Sequence, residues 1–243
     1  MKRIKRLRPL LISAAVLLLL GLAAFIAYAS GAVQLNKPDA AYPRGVDVSS
    51  YQGNIDWQRL ESQDIDFAFI KATEGAIYFD DKFAANVQNV SQTGILYSPY
   101  HFFSFESEGI QQAVNYISVV GDNCGSLPPV VDVELYGDFK SSPKSADEVV
   151  PQLRTMLEQL EGYYGVKPII YTTSKAYELY IGDNFSEYML WYRSVFTEPK
   201  LSCAFWQYSD KGKLDGYKGS ERFIDLNVFI GSREELEKLG AGK

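Results

Sequence analysis

A single histidine, His101, occurs in the 243 residues. Zinc sites usually draw on several His or Cys ligands, so a His-based metal site is disfavoured, and neither metal nor cofactor is expected. Acid–base chemistry then falls to carboxylates. Cysteine is almost as scarce. Cys124 and Cys203 are too few for a disulfide framework, and their spacing leaves open whether they pair. No Gly-x-Gly-x-x-Gly loop follows the first strand-like run, which argues against a nucleotide-binding doubly wound sheet. Positive charge is scarce outside the first nine residues. The net charge is −6, yet Lys2, Arg3, Lys5, Arg6 and Arg8 are unopposed, so the remainder carries −11. An acidic body argues against nucleic acid as a partner.

What is present begins with one long apolar run. Leu10 to Ala29 is interrupted only by Ser13, and as a helix it would span about 30 Å, the thickness of a bilayer core. The basic residues 1–9 before it would stay cytoplasmic, placing everything after Ala29 outside. The preferred reading is a single-pass signal anchor. The alternative is a signal peptide cut near Ala29, where Ala27-Tyr28-Ala29 has small-x-small character. Cleavable signals usually carry an apolar core of only about 7–15 residues, which favours the anchor. Residues 30–44 read as a polar linker, with Pro38 and Pro43 opposing helix. Residues 45–243 are expected to form one domain.

Within that domain, strand-like runs recur at Gly45–Ser49, Phe67–Thr73, Ile95–Phe103, Val130–Leu135, Pro168–Thr173, Met189–Val195, Ala204–Tyr208 and Phe223–Phe229. Helical periodicity separates the first six, over Ile55–Gln63, Asp80–Gln92, Glu108–Val120, Ala146–Tyr163 and Lys175–Ile181. Ser145 and Glu148 have capping-box spacing ahead of the fourth helix. Phe196–Cys203 and Ser209–Arg222 carry no helical period. The pattern predicts an α/β fold: an irregular TIM-like barrel of five β/α units followed by three strands. An open doubly wound sheet is the alternative. A short helix over Glu234–Leu239 would close the chain.

The run Pro128-Pro129-Val130-Val131-Asp132-Val133-Glu134-Leu135 carries the chemistry. Side chains alternate along a strand, so Asp132 and Glu134 share one side. Two acids on an apolar strand repel each other and are costly to bury, and paired carboxylates are the working parts of glycoside hydrolysis. Functional side chains of β/α barrels sit at the C-terminal strand ends. Asp47 on strand one and Asp225 on strand eight, neighbours in a closed barrel, would then face the strand-four pair across one pocket. Tyr51, Tyr100, Phe102, Phe103, Tyr171, Trp191 and Trp206 gather at the same ends. Flat aromatic faces suit a sugar cleft, although most barrel aromatics are core. Tyr51, Tyr100, Phe102, Tyr171 and Trp191 are the substrate-binding candidates. Lys71 and Glu74 are read as a salt bridge, and His101 as a satisfied core or rim histidine.

These motifs resemble those of the glycoside hydrolase family 25 lysozymes. The residues that carry the resemblance are Gly45-Val46-Asp47-Val48-Ser49-Ser50-Tyr51-Gln52-Gly53 with Ile55-Asp56-Trp57, Phe69-Ile70-Lys71-Ala72-Thr73-Glu74-Gly75 and Tyr100-His101-Phe102-Phe103. Val131-Asp132-Val133-Glu134, Trp206-Gln207-Tyr208 and Asp225-Leu226-Asn227 complete the series. The resemblance implies a muramidase that cleaves the β-1,4 bond between N-acetylmuramic acid and N-acetylglucosamine in peptidoglycan. By position, Glu134 matches the general acid and Asp132 its partner, and Asp47 and Asp225 match the other pocket acids. Glu134 is expected to be protonated at rest through repulsion by Asp132. Leu190-Trp191-Tyr192-Arg193 departs from the family's usual Trp-Ile-Ala run, and no wall-binding repeats follow the barrel. The expected setting is the bacterial cell membrane, with a monomeric catalytic domain facing peptidoglycan glycan strands. The competing readings are a non-catalytic, membrane-anchored peptidoglycan-binding protein and a chitinase-like hexosaminidase.

Overall fold

Eight strands close a barrel in the computed structural model, which describes residues 2–240, with side chains described from 13 to 239. The strands are β1 (Arg44–Val48), β2 (Phe67–Glu74), β3 (Leu96–Phe102), β4 (Val130–Val133), β5 (Ile169–Thr173), β6 (Met189–Arg193), β7 (Phe205–Gly212) and β8 (Ile224–Phe229). Each pairs with its neighbours in sequence, and β1 pairs with both β2 and β8 to close the ring. The open-sheet alternative is thereby excluded. The helices are α1 (Lys2–Ala29), α2 (Trp57–Glu61), α3 (Phe83–Val90), α4 (Gly109–Val120), α5 (Ala146–Tyr164) and α6 (Arg233–Gly240), with a further helical turn at 174–181. Glu148 accepts hydrogen bonds from both the backbone N–H and the hydroxyl of Ser145, so the expected cap starts α5.

Strand alternation sorts the residues into two cores. Val46, Val48, Ala68, Ile70, Val131, Val133 and Ile170 face outward into a layer shared with Trp57, Leu60, Tyr116, Leu153 and Leu157 of the helices. The opposite faces fill the barrel with Phe67, Phe69, Val130, Ile169, Trp191, Phe205 and Phe229, joined by Leu236 of α6. The ring centroids of Phe69 and Trp191 lie 4.2 Å apart, and those of Phe69 and Phe205 5.2 Å. β1 passes directly over this packing. A Cβ at Gly45 would meet the Phe67 ring at 2.3 Å, so glycine is the residue that lets the strand approach.

Strand direction departs from a simple parallel barrel. β1 to β7 run parallel in sequence order, whereas β8 is antiparallel to both β7 and β1. The β7–β8 connection has no helix and returns as a hairpin-like excursion, which dictates an antiparallel partner. Asp225 therefore lies near the start of its strand, not the C-terminal end that the barrel rule assigns. Register still sets it opposite Asp47.

The linker is not a free spacer. Asn36 is buried, and its amide donates to the carbonyls of Ser194 (3.2 Å) and Tyr208 (3.0 Å). Gln34 donates to the Lys211 carbonyl at 2.9 Å and accepts from the Ser209 hydroxyl. These side-chain amides pin residues 34–36 along β7. In α1, Leu17, Leu18, Leu19, Leu20, Leu22, Phe25 and Ile26 are exposed. Among the described residues no helix is long and apolar enough to cross a membrane. The expected span starts at Leu10, and the side chains of its first residues lie outside the described ones. Cys124 and Cys203 are not joined by a disulfide.

Candidate active site

All four predicted acids open onto one cleft of about 330 Å³ at the barrel mouth. Asp47 reaches it because its strand neighbours Val46 and Val48 take the outward positions. Asp132 sits at the end of β4 by the same alternation between Val131 and Val133, and Glu134 follows just past the strand. A second cavity of about 470 Å³ adjoins the first and shares Glu134, Tyr171, Asp210 and Asp225 with it. Glu134 therefore stands at the junction of two lobes.

Hydrogen bonds hold the Asp47 side rigid. The Gln207 amide donates to Asp47 at 2.9 Å and to Asp225 at 3.0 Å. Asn227 donates to Asp47 at 2.8 Å while accepting from the Trp191 indole N–H at 2.8 Å. The Tyr171 hydroxyl donates to the Gln207 carbonyl oxygen at 2.9 Å, which orients that amide toward the acids. Burial raises the Asp47 carboxyl, and the hydrogen bonds from Asn227 and Gln207 oppose the rise. Burial, then the Asp47 charge, pushes Asp225 well above the usual carboxylate range.

The strand-four pair is less tied down. Asp132 is 8% exposed, and its Oδ1 is buried without a hydrogen-bond partner. Burial, then the Glu134 charge, drives its carboxyl well above the usual range. Burial raises Glu134 too, but Arg193, Lys140 and Lys71 pull it back. Burial thus favours the protonated form of both carboxyls, and the two interact across one end of β4. Asp132 lines the first lobe with one buried oxygen unpaired, and Glu134 lies where both lobes reach it.

The five substrate-binding candidates also line the first lobe. Tyr51 is 61% exposed and forms a wall, whereas Tyr171 and Trp191 are buried and form the floor, their rings 4.3 Å apart. Phe103 and Trp206 belong to the outer core instead. Lys71 pairs with Glu74 at 2.6 Å, as expected, and its ammonium also stands 5.0 Å from the Phe102 ring centroid. His101 is fully buried between the Thr73 hydroxyl (2.7 Å) and the Gln112 side-chain oxygen (3.0 Å). Burial pulls its pKa down to about 4, so it is a neutral core residue at physiological pH. Gln207, Asn227, Asp210 and Arg193 are site residues that sequence reasoning left without a role. Strand parity signals one of them, since Asn227 follows Asp225 by two positions and must share its face. Arg193 pairs with Asp210 at 2.8 Å, which gives the departing Leu190-Trp191-Tyr192-Arg193 run a place in the cleft wall.

A family model described as Glycosyl hydrolases family 25 matches residues 46–217. The solved structure of a family 25 glycosyl hydrolase from Bacillus anthracis is 45% identical, with a TM-score of 0.80, covering 86% of this chain and 98% of that one. A bacterial lysozyme from Streptomyces coelicolor is 30% identical, with a TM-score of 0.72 over 83% of this chain and 98% of its own. Lysozyme M1 of Streptomyces globisporus is 33% identical over 216 residues, or 82% of this chain and 71% of that protein.

Proposed function

The chain belongs to glycosyl hydrolase family 25, and from that premise we propose that it is a peptidoglycan muramidase whose chemistry is carried by Glu134 and Asp132. It hydrolyses the β-1,4 bond between N-acetylmuramic acid and N-acetylglucosamine. The observation that carries the assignment of roles is the placement of Glu134 at the junction of the two lobes, beside an Asp132 oxygen with no protein partner. A glycan threaded through both lobes presents a glycosidic oxygen to Glu134, which protonates it as the bond breaks. The Asp132 carboxylate accepts the N–H of the sugar's acetamido group. That hydrogen bond favours ionised Asp132, and entry of the sugar strips water from Glu134 and favours its protonated form. Substrate binding thereby favours the proton on Glu134, where departure of the leaving group requires it. The Gln207–Asn227 network keeps Asp47 and Asp225 in place to stabilise the developing sugar cation.

Digestion of purified peptidoglycan followed by borohydride reduction and mass analysis checks the bond cleaved. Reduced N-acetylmuramic acid at every new end is the expected product, and reduced N-acetylglucosamine would refute the reading. No feature favours a silent binding protein or a chitinase-like enzyme.

The protein acts as a monomer outside the bacterial cell membrane, held there by the apolar segment 10–29. The exposed apolar side chains of α1 support this, since water is a poor solvent for that surface. Fractionation of cells expressing the full chain should leave the protein in membranes washed with carbonate, its N-terminus intact by mass spectrometry. A mature protein starting near Ser30 in the medium would refute the anchor.

A further inference from the structure

The two lobes that meet at Glu134 differ in charge. The first is walled by Asp47, Asp132, Glu221 and the shared Glu134, Asp210 and Asp225, with Lys71 its one cation. The second adds no acid beyond the three shared ones and is rimmed by Lys140, Lys175 and Arg193. A third hollow continues from it past Thr173, Lys175 and Arg193, bringing Lys200 and Glu198. Arg193 is engaged by Asp210. Lys140, Lys175 and Lys200 take part in none of the ion pairs among the described residues. The Lys175 ammonium donates to the Lys140 carbonyl at 3.0 Å, which holds the two residues together across the lobe's rim.

Lysines on a surface are ordinary. Here they rim a lobe of the cleft, in a chain that beyond its first nine residues carries −11. The shared acids all lie on the barrel side of the lobe, close to the bond-breaking position. The lysines lie on its outer side, on the 137–140 turn after β4 and the 174–181 turn after β5. A ligand that spans the lobe therefore meets carboxyls at its sugar end and ammonium groups a few ångströms outward. Glycan strands themselves are uncharged along their acetylated sugars, but the lactyl ether of N-acetylmuramic acid carries a peptide with free carboxylates. On the muramidase reading, that arm projects from the sugar whose bond lies at Glu134.

We propose that Lys140 and Lys175 form a subsite for the carboxylates of the stem peptide borne by the muramic acid beside the cleaved bond. The subsite selects stem-bearing glycan over glycan whose arm is uncharged. It also explains how an acidic protein binds an anionic wall. Attraction over long range is absent, and recognition comes from two local, charge-assisted hydrogen bonds that bulk salt weakens.

Two soluble glycan tetramers test this, alike except that the stem carboxylates of one are free and those of the other are primary amides. Wild-type protein should show a kcat/KM about tenfold higher for the free acid, the scale of one or two charge-assisted hydrogen bonds. The preference should shrink at high salt. In the Lys140→Gln/Lys175→Gln double variant the ratio should fall to about one. Equal rates for the two tetramers in wild type, or an undiminished ratio in the double variant, overturn the subsite. Equilibrium binding of the same tetramers to Glu134→Gln reports the preference without turnover. Loss of the preference there overturns the subsite, whereas binding with preference but no cleavage by wild type overturns the muramidase reading alone.

Discussion

Glu134→Gln should lower kcat on purified peptidoglycan by about 10²–10⁴-fold, the range for losing a general acid, with little change in KM. The amide keeps the shape of the side chain and its contacts with both lobes but has no proton to give to the leaving oxygen. The same substitution should raise thermal stability at neutral pH. A carboxyl whose folded pKa lies above its unfolded value contributes stability that is full below the unfolded pKa and is lost as pH rises through the folded one. Glu134 is such a group, raised by burial, and above its folded pKa the ionised acid destabilises the fold. The stabilisation of Glu134→Gln over wild type should therefore appear near pH 8 and vanish near pH 4. Release of reducing ends and thermal melts at the two pH values measure both. Near wild-type turnover would remove Glu134 from the mechanism.

Asp132→Asn should cost nearly as much activity, about 10²-fold, and stabilise the protein more. Asp132 is the more deeply buried of the pair and burial raises its carboxyl, so its ionisation at neutral pH opposes folding more. A gain of about 1 kcal/mol corresponds to about 2–4 °C in a domain of this size. It should again fade toward pH 4, below the folded pKa. Loss of the Asp132 charge also removes a repulsion that holds the proton on Glu134. The alkaline limb of kcat/KM should accordingly move to lower pH in the variant, because the general acid then deprotonates sooner. An unshifted alkaline limb with full activity would show that the two carboxyls do not share a proton. The pairing of lower activity with higher stability is the sign of a site kept under strain for chemistry.

The eight strands and the helices between the first six were legible because burial on two faces leaves apolar runs and burial on one face leaves a 3.6-residue period. Val130-Val131 with Val133 is the first kind, and Leu153, Leu157 and Leu160 the second. The convergence of Asp47, Asp132, Glu134 and Asp225 followed from strand parity and the barrel rule. That rule reached Asp225 by a route the fold does not use. The residue lies at the mouth because β8 turns back, and only the hairpin character of the preceding connection hinted at that. The electrostatics of the strand-four pair were only partly legible for a related reason. Spacing within Asp132-Val133-Glu134 shows that the acids interact but is silent about Arg193, Lys140 and Lys71, which come from other elements and favour ionised Glu134.

Local pattern thus determined the elements of this protein, their order, the faces they bury and the acids that share the barrel mouth, since each depends on residues near one another in sequence. Tertiary structure alone decided the direction of β8, the docking of the linker on β7, the Gln207–Asn227 clamp on Asp47, the cations that face Glu134 and the lysines beside the cleft. Each of these depends on distances between residues far apart in the chain, and electrostatic and hydrogen-bond energies fall off too steeply with distance to be read from order alone.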